Sequence, residues 1–565
     1  MLKSRRYLVI FIFAGLFFFL FVRLFCIQVV DRKRYSALAD TQHNTTVAIE
    51  PRRGTIFDRY MDTLALNMDV YSVFCDPRVI RDRSAMARIL SEELNIDSER
   101  LEARLDSDRA FIWVKRKIDR DTYIRLREMK LTGVHFRPES RRKYPNEIMA
   151  SHLLGFTGID NDGLEGLELF YDKELRGRPG RRHITRDARM RAVLRKDALS
   201  IPAHNGNNLV LTIDSVIQYI VEEELAAMMD RSNAQGGTIV VMEPSTGKIL
   251  ALAGRPAYDP NEISRADPAT FRNPVVSEVY EPGSVFKIVA ASAVLEESTM
   301  SLSDTVHCGN GQFQVGGRLL RDFRPHGELS FEDVIAVSSN IGIVKAAIEL
   351  GEKKLFEYIR DFGFGEVTGI DLPGEVSGIS RHPRVWSRSD ITTIPMGQGI
   401  AVTSIQLASA VSVIANGGVL MRPYITDEIT TWEGVVIKKT DPVKKRRVIS
   451  EKTSEKMKRA LRKVVTDGTG RRAFSRRYVT CGKTGTAQMA SPEGGYYSDR
   501  YYAAFIGFAP LDVPAISVVV VARDPRPDYF GGTVAAPVFR RITERVLEYL
   551  GVQETTGEAV SRASL

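Results

Sequence analysis

The 565-residue sequence predicts a membrane-anchored chain with two folded parts, a mixed α+β domain and then a larger α/β domain. Three observations predict it. One long apolar run lies near the N-terminus, the sequence pattern changes after residues 202–208, and residues 209–550 carry strand-like runs at both ends around a mostly helical middle. The length exceeds what a single core holds. A hydrophobic content of 44% with 26% charged residues is that of an ordinary folded protein.

Residues 7–30 are apolar except for Arg23 and Gln28, and their unbroken part, 7–22, is rich in Phe, Leu and Ile. With its polar ends snorkelling, such a run spans a bilayer. No small-x-small cleavage site comes after it, which separates it from a signal peptide. Lys3, Arg5 and Arg6 precede it and place residues 1–6 in the cytoplasm, although Arg32, Lys33 and Arg34 weaken the contrast. Everything after about residue 31 is then expected outside the cytoplasmic membrane.

Residues 31–205 read as a domain of short strands and helices. It holds Arg53-Gly54-Thr55-Ile56-Phe57-Asp58-Arg59 and, later, His152-Leu153-Leu154-Gly155-Phe156-Thr157-Gly158 leading to Gly163-Leu164-Glu165-Gly166-Leu167-Glu168. The charged members of these runs are expected to hold the domain together rather than to take part in chemistry. The basic run 137–143 reads as a solvated face. In the unit 209–550, runs 238–242 and 249–252 at the start and 479–488, 501–508 and 516–522 at the end read as strands. They predict one sheet assembled from both ends, closed by a helix over 535–550. Residues 551–565 read as a polar tail.

The chemistry is expected at Glu281-Pro282-Gly283-Ser284-Val285-Phe286-Lys287 and the apolar run behind it. Pro282 and Gly283 break any preceding element, and Ser284 opens a segment that is apolar nearly all round, which belongs in a core. Three residues apart on a helix, Ser284 and Lys287 share a face. A lysine lowered by burial can take a serine's proton. Ser-x-x-Lys alone is weak, since about two matches arise by chance in such a chain. Ser140-x-x-Lys143 and Ser245-x-x-Lys248 are the other two, and both read as surface or turn. Ser338-Ser339-Asn340 lies between two helix-like runs, where an N-cap is the ordinary explanation. Lys483-Thr484-Gly485-Thr486 lies in a strand-like run.

The three motifs, in this order, resemble the signature of penicillin-binding proteins and class A β-lactamases. The Arg53 to Arg59 and His152 to Glu168 runs, with Tyr171-Asp172 and Gly177, resemble the pedestal motifs of class B penicillin-binding proteins. Gly397-Gln398-Gly399, Thr403, Gln406 and residues 529–537 extend the likeness through the second domain, and the His152 to Gly158 pattern, the Gly397-Gln398-Gly399 run and the short C-terminus resemble most the division (FtsI-like) and sporulation branch. Tyr60-Met61 departs from it, since the family usually has Asn-Gly or similar there. The resemblance implies a penicillin-binding, serine transpeptidase fold, with an antiparallel sheet flanked by helices and a helical subdomain, behind a pedestal.

It also implies the reaction. Ser284 attacks the D-Ala-D-Ala bond of a peptidoglycan stem peptide, D-alanine leaves, and an amine on a neighbouring stem takes the acyl group. Lys287 is the base, and Ser338 with Asn340 passes a proton to the leaving amine and holds the substrate amide. Lys483, Thr484 and Thr486 meet the terminal carboxylate. Gly485 lets the substrate backbone lie close, and N–H groups of Ser284 and Thr486 form the oxyanion hole. β-Lactams acylate the same serine, and no metal or nucleotide cofactor is required. The implied partners are a SEDS-type glycosyltransferase and other septal membrane proteins. A D,D-carboxypeptidase or β-lactamase would use the same motifs with water as acceptor, and a penicillin-binding scaffold would keep them without turnover. A single anchor and a long pedestal argue against a β-lactamase.

A net charge of +9 does not indicate nucleic acid, because both signs alternate and no aromatic-interleaved basic cluster occurs. Cys26, Cys75, Cys308 and Cys481 have no metal-ligand spacing, and Cys481 reads as a small buried hydrophobe.

Overall fold

The computed structural model describes residues 2–36, 44–186, 192–193, 200–315 and 317–555. The chain divides into two compact units, 1–52 with 176–206, and 53–175 with 207–565. In the first, helix Leu2–Phe25 continues into a wider turn at Cys26–Val30. Ser4–Val30 is 27 residues long and apolar enough to cross a membrane, with none of its most apolar stretch buried by the chain. The same unit pairs strand Asn44–Ile49 antiparallel to Gly180–Arg186, from Asn44 opposite Thr185 to Ile49 opposite Gly180.

Residues 53–175 of the expected pedestal pack with 207–565 in the larger unit. Strand pairing is the reason. Ile56–Phe57 runs parallel to Asn208–Leu211 while pairing antiparallel with Thr63–Cys75, so one sheet crosses the expected boundary. Strands Ile112–Ile118 and Val134–Lys143 both pair with the long strand Thr63–Cys75.

The run 137–143 lies in that sheet and is not a solvated face. Alternation buries Ser140 and Arg142 while Arg141 stays exposed. Arg142 Nε bonds Glu168 Oε1 at 2.6 Å, and Arg53 Nε bonds Glu168 Oε2 at 2.5 Å. Arg53 also reaches Asp172 Oδ1 at 2.7 Å and the Glu168 carbonyl at 2.7 Å. Glu168 is wholly buried. The charged motif residues Arg53 and Glu168 thus hold the fold together, as expected of them. Removing one member of a buried ion cluster strands the others, at about 3–5 kcal/mol. Glu168→Ala is expected to lower the stability of the full chain by that amount in a detergent denaturation curve, whereas Glu92→Ala, at an exposed position, shifts it by less than about 1 kcal/mol.

The Asp58 turn forms in spite of Tyr60-Met61. Asp58 Oδ1 accepts from the N–H groups of Tyr60 and Asp62, both at 2.8 Å, and Met61 takes a left-handed φ of 71°. A side chain there costs about 1 kcal/mol. Met61→Gly is expected to raise stability by about 0.5–1 kcal/mol, read as a higher melting temperature.

The second sheet is antiparallel and has five strands in the order Ile249–Arg255, Gly236–Met242, Ile516–Arg523, Tyr496–Ala509 and Cys481–Ala490. It is assembled from both ends of the domain, as the sequence predicts. Both faces are covered, and alternation sorts the side chains between them. Ile239, Val241, Val518, Val520 and Phe505 pack with helices Ser215–Ser232 and Ala536–Tyr549. Val240, Met242, Val519, Val521 and Ile506 face the core built on helices Lys287–Glu296 and Ser404–Ala415. All twelve residues of Ser404–Ala415 are buried, and Thr403 with Gln406 closes a capping box at its start. At the start of the expected polar tail, Glu554 bonds Arg477 Nε at 2.6 Å; its remainder, 556–565, lies outside the described residues.

Candidate active site

Ser284 does not open an α-helix. Gly283–Phe286 is a 3₁₀ turn, and the α-helix begins at Lys287. The tighter turn still serves, because residues three apart eclipse in a 3₁₀ turn, so Ser284 and Lys287 share a side. Lys287 to Leu295 are all buried, while Ser284 at the mouth of the turn is partly exposed.

The turn is packed between the main chain of Gly397 and that of Gly485. Gly283 N–H donates to the Gly397 carbonyl at 3.1 Å, and a Cβ on Gly397 would fall 2.1 Å from Gly283 O. A Cβ on Gly485 would fall 2.8 Å from Val285 Cγ1 and 3.0 Å from Pro282 O. Gly485 thus leaves room for the serine turn that packs on that strand. Glu281 braces the entry, accepting from Gly399 N–H at 2.8 Å and from the Tyr496 hydroxyl at 3.0 Å.

Four of the predicted residues meet around one hydroxyl. Lys287 Nζ donates to Asn340 Oδ1 at 2.7 Å, to the Ser338 carbonyl at 2.7 Å and to Ser338 Oγ at 3.1 Å. Lys483 Nζ donates to the same Ser338 Oγ at 2.8 Å. Among the described residues none is hydrogen-bonded to Ser284 Oγ, so Lys287 is engaged by the Ser338–Asn340 turn and not by the serine. Ser338 has a left-handed φ of 62°, a strained setting for a residue with a Cβ. The N-cap expected of this motif is Ser339, which accepts from Gly342 N–H at 2.9 Å. That frees Ser338, one residue earlier, to face the lysines.

Sequence reasoning missed Asp322. Its carboxylate accepts from Asn340 N–H at 2.5 Å, Ile341 N–H at 3.0 Å and Ser339 Oγ at 2.6 Å, and so fixes the whole Ser338–Asn340 turn. It comes directly after the hairpin strand Arg318–Arg321, and no spacing rule ties it to the motif.

Two ammonium groups on one half-buried hydroxyl are costly. Burial holds Lys287 down at about 7, against the pull of Asp322. Lys483 lies well below its ordinary value, through burial and then the charge of Lys287. Near neutral pH the site can therefore keep an amine that accepts a proton, and Ser338 connects the two nitrogens.

Strand Cys481–Ala490 is the edge of its sheet, paired on one side only, with Lys483 opposite Ile506 and Thr486 opposite Ala503. No described strand pairs with its outer row of N–H and C=O groups, the side to which an extended peptide would add. The hydroxyls of Thr484 and Thr486 alternate with Lys483. Thr484 Oγ1 shares a 2.7 Å hydrogen bond with Thr469 Oγ1, and Thr486 Oγ1 accepts from Gly531 N–H at 3.2 Å. Cys481 is buried and its thiol is pushed up to about 12, which fits a packed, unreactive side chain.

Residues 237–544 match the penicillin-binding protein transpeptidase domain, and residues 48–211 match the penicillin-binding protein dimerisation domain. The chain is 37% identical to the stage V sporulation protein D of Bacillus subtilis over 562 residues, covering 97% of this chain and 86% of that protein. It is 31% identical to the peptidoglycan D,D-transpeptidase FtsI of Escherichia coli K12, covering 96% and 91%. Penicillin-binding protein 3 of Mycobacterium tuberculosis, solved with aztreonam, superposes with a TM-score of 0.72 at 28% identity over 90% of this chain and 99% of that one. A peptidoglycan synthetase from Bifidobacterium adolescentis gives 0.72 at 27% identity over 91% and 98%. Motif order, fold and these likenesses agree: the chain belongs to the class B penicillin-binding proteins of the FtsI type.

Proposed function

We propose that Ser284 is the acylated nucleophile of a peptidoglycan D,D-transpeptidase that works in septal or spore wall synthesis and binds β-lactams. The observation that carries the reading is the Lys287–Ser338–Lys483 hydrogen-bond chain beside a partly exposed serine. A neutral Lys287 takes the Ser284 proton as Oγ attacks the penultimate D-alanine carbonyl. N–H groups of Ser284 and Thr486 receive the oxyanion. Ser338 passes a proton on to the departing D-alanine amine, with Asn340 holding the donor amide. Lys483, Thr484 and Thr486 receive the terminal carboxylate, while the stem peptide lies along the open edge beside Gly485. The incoming amine then reverses these steps and inherits the acyl group. We place the domains outside the cytoplasmic membrane, behind the single N-terminal anchor, with the pedestal at 31–205, the transpeptidase domain at 209–550 and a SEDS-type glycosyltransferase as partner.

The test uses the full chain in detergent with a D-Ala-D-Ala-ended stem peptide and an amine acceptor. A cross-linked product and free D-alanine are expected by mass spectrometry. Release of D-alanine without cross-link, at any acceptor concentration, would instead make the chain a carboxypeptidase. Absence of both would leave a binding scaffold.

A further inference from the structure

A cavity of about 300 Å³ opens between the end of helix Ser215–Ser232, the loop 524–530 and the start of helix Ala536–Tyr549. It contains none of the Ser284–Lys287, Ser338–Asn340 or Lys483–Thr486 residues, although Thr533, Val534 and Pro537 of the 529–537 run line it. Four guanidinium groups line it, those of Arg231, Arg472, Arg526 and Arg541, against a single lining carboxylate, Asp528. Their neutralisation is incomplete. Arg541 Nε bonds Glu224 at 2.7 Å, but its Nη2 is buried with no partner. Arg231 reaches the same glutamate only at 3.9 Å. Arg526 is 3.2 Å from Asp499 and 3.5 Å from Asp524. Arg472 has no ion pair among the described residues. Burial and the nearby Arg541 charge both hold Arg231 below its ordinary value, so the two cations crowd each other.

We propose that this cavity is a binding site for a phosphate group, carried on a small or chain-like molecule. Planar guanidinium forks match phosphate oxygens in pairs. The volume is at the small end for ligand sites, which suits a phosphate with a short apolar or polyol attachment against Met228, Pro527 and Val534. An anion here gives Arg472 the partner it lacks. The cavity wall is also continuous with the catalytic strand. Thr533 and Val534 belong to helix Gly531–Val534, and Gly531 N–H is bonded to Thr486 Oγ1. A Cβ on Gly531 would fall 2.3 Å from Gly485 O, so that helix rests on the strand without slack. Occupancy is therefore read at the serine as a changed acylation rate; that second readout rests on the transpeptidase reading, whereas binding does not.

The experiment is a thermal melt of the full chain in neutral detergent, at constant ionic strength set with chloride, titrated with inorganic phosphate. A saturable rise in melting temperature is expected for the parent. In Arg231→Glu/Arg472→Glu the midpoint should move to at least about tenfold higher phosphate. Arg472→Ala, an exposed single change, should give a smaller shift of the same sign. Both variants should still be acylated by benzylpenicillin, which confirms that they are folded. Glycerol phosphate acting at lower concentration than inorganic phosphate points to a soluble or polymeric phosphodiester. Micelles doped with phosphatidylglycerol, but not phosphatidylcholine, acting instead point to a lipid headgroup. A rise that chloride reproduces, or an unchanged midpoint in folded variants, overturns the proposal.

Discussion

Ser284→Ala is expected to abolish the covalent adduct that benzylpenicillin should leave on the parent protein. Intact mass is expected to show one adduct on the parent and none on the variant, with the acylation rate lower by about 10⁴-fold or more. The expectation is sharp because the change is structurally silent. Ser284 Oγ supports nothing else among the described residues, and the turn that carries it is held by Gly283, Gly397 and Gly485 through their backbones. A loss of adduct therefore reports chemistry and not unfolding, which an unchanged melting temperature would verify. An adduct that survives the substitution would move the nucleophile to Ser338, the hydroxyl that both lysines contact.

The second large effect is at Lys287. A base must be neutral, and burial holds this amine at about 7. Acylation by the parent should rise with pH through neutrality and level off above it, while Lys287→Met should be slower by about 10²–10⁴-fold and lack that rise. The same group links pH to stability. In the unfolded chain the lysine keeps its proton up to about 10.4, whereas in the fold it has lost it above about 7. Between those values the unfolded state binds more protons, so the Lys287 contribution makes the folded state more stable as pH rises. Melting temperatures at pH 7.5 and 9.5 should separate by more in the parent than in Lys287→Met. An equal separation, together with a flat acylation profile, would remove Lys287 as the base.

Much of this site was legible because its chemistry is written in short local spacings. Ser284 and Lys287 are three residues apart, Ser338 and Asn340 two, and Lys483 to Thr486 are consecutive on one strand. The features that stayed hidden depend on contacts between distant segments. Asp322 serves Asn340 through a loop whose sequence carries no periodic signal. The burial of Arg142 depends on Glu168, 26 residues on, so the run 137–143 looked solvated when read by composition. The strand Ile56–Phe57 is too short to show a pattern, yet it joins Asn208–Leu211 and carries the fold across the expected domain boundary. The five-stranded sheet, by contrast, was readable from its long apolar strands, since burial on both faces leaves unbroken Val and Ile runs such as those in Ile516–Arg523.

The catalytic strand Cys481–Ala490 is also an aggregation hazard. An unpaired row of backbone groups on an apolar edge recruits strands from other copies of the chain, and proteins ordinarily blunt such edges with a proline, a bulge or a surface lysine. None of these can be placed at residues 483–486 without closing the strand to a peptide. The remaining device is a polar group that points inward, and the Lys483 amine is one: wholly buried, it lies on Ser338. A neighbouring strand that docked along this edge would have to cover that amine and the turn it serves. The lysine proposed to receive substrate therefore also stands at the edge where self-association would start, and replacing it with an apolar residue is expected to raise aggregation as well as to slow acylation.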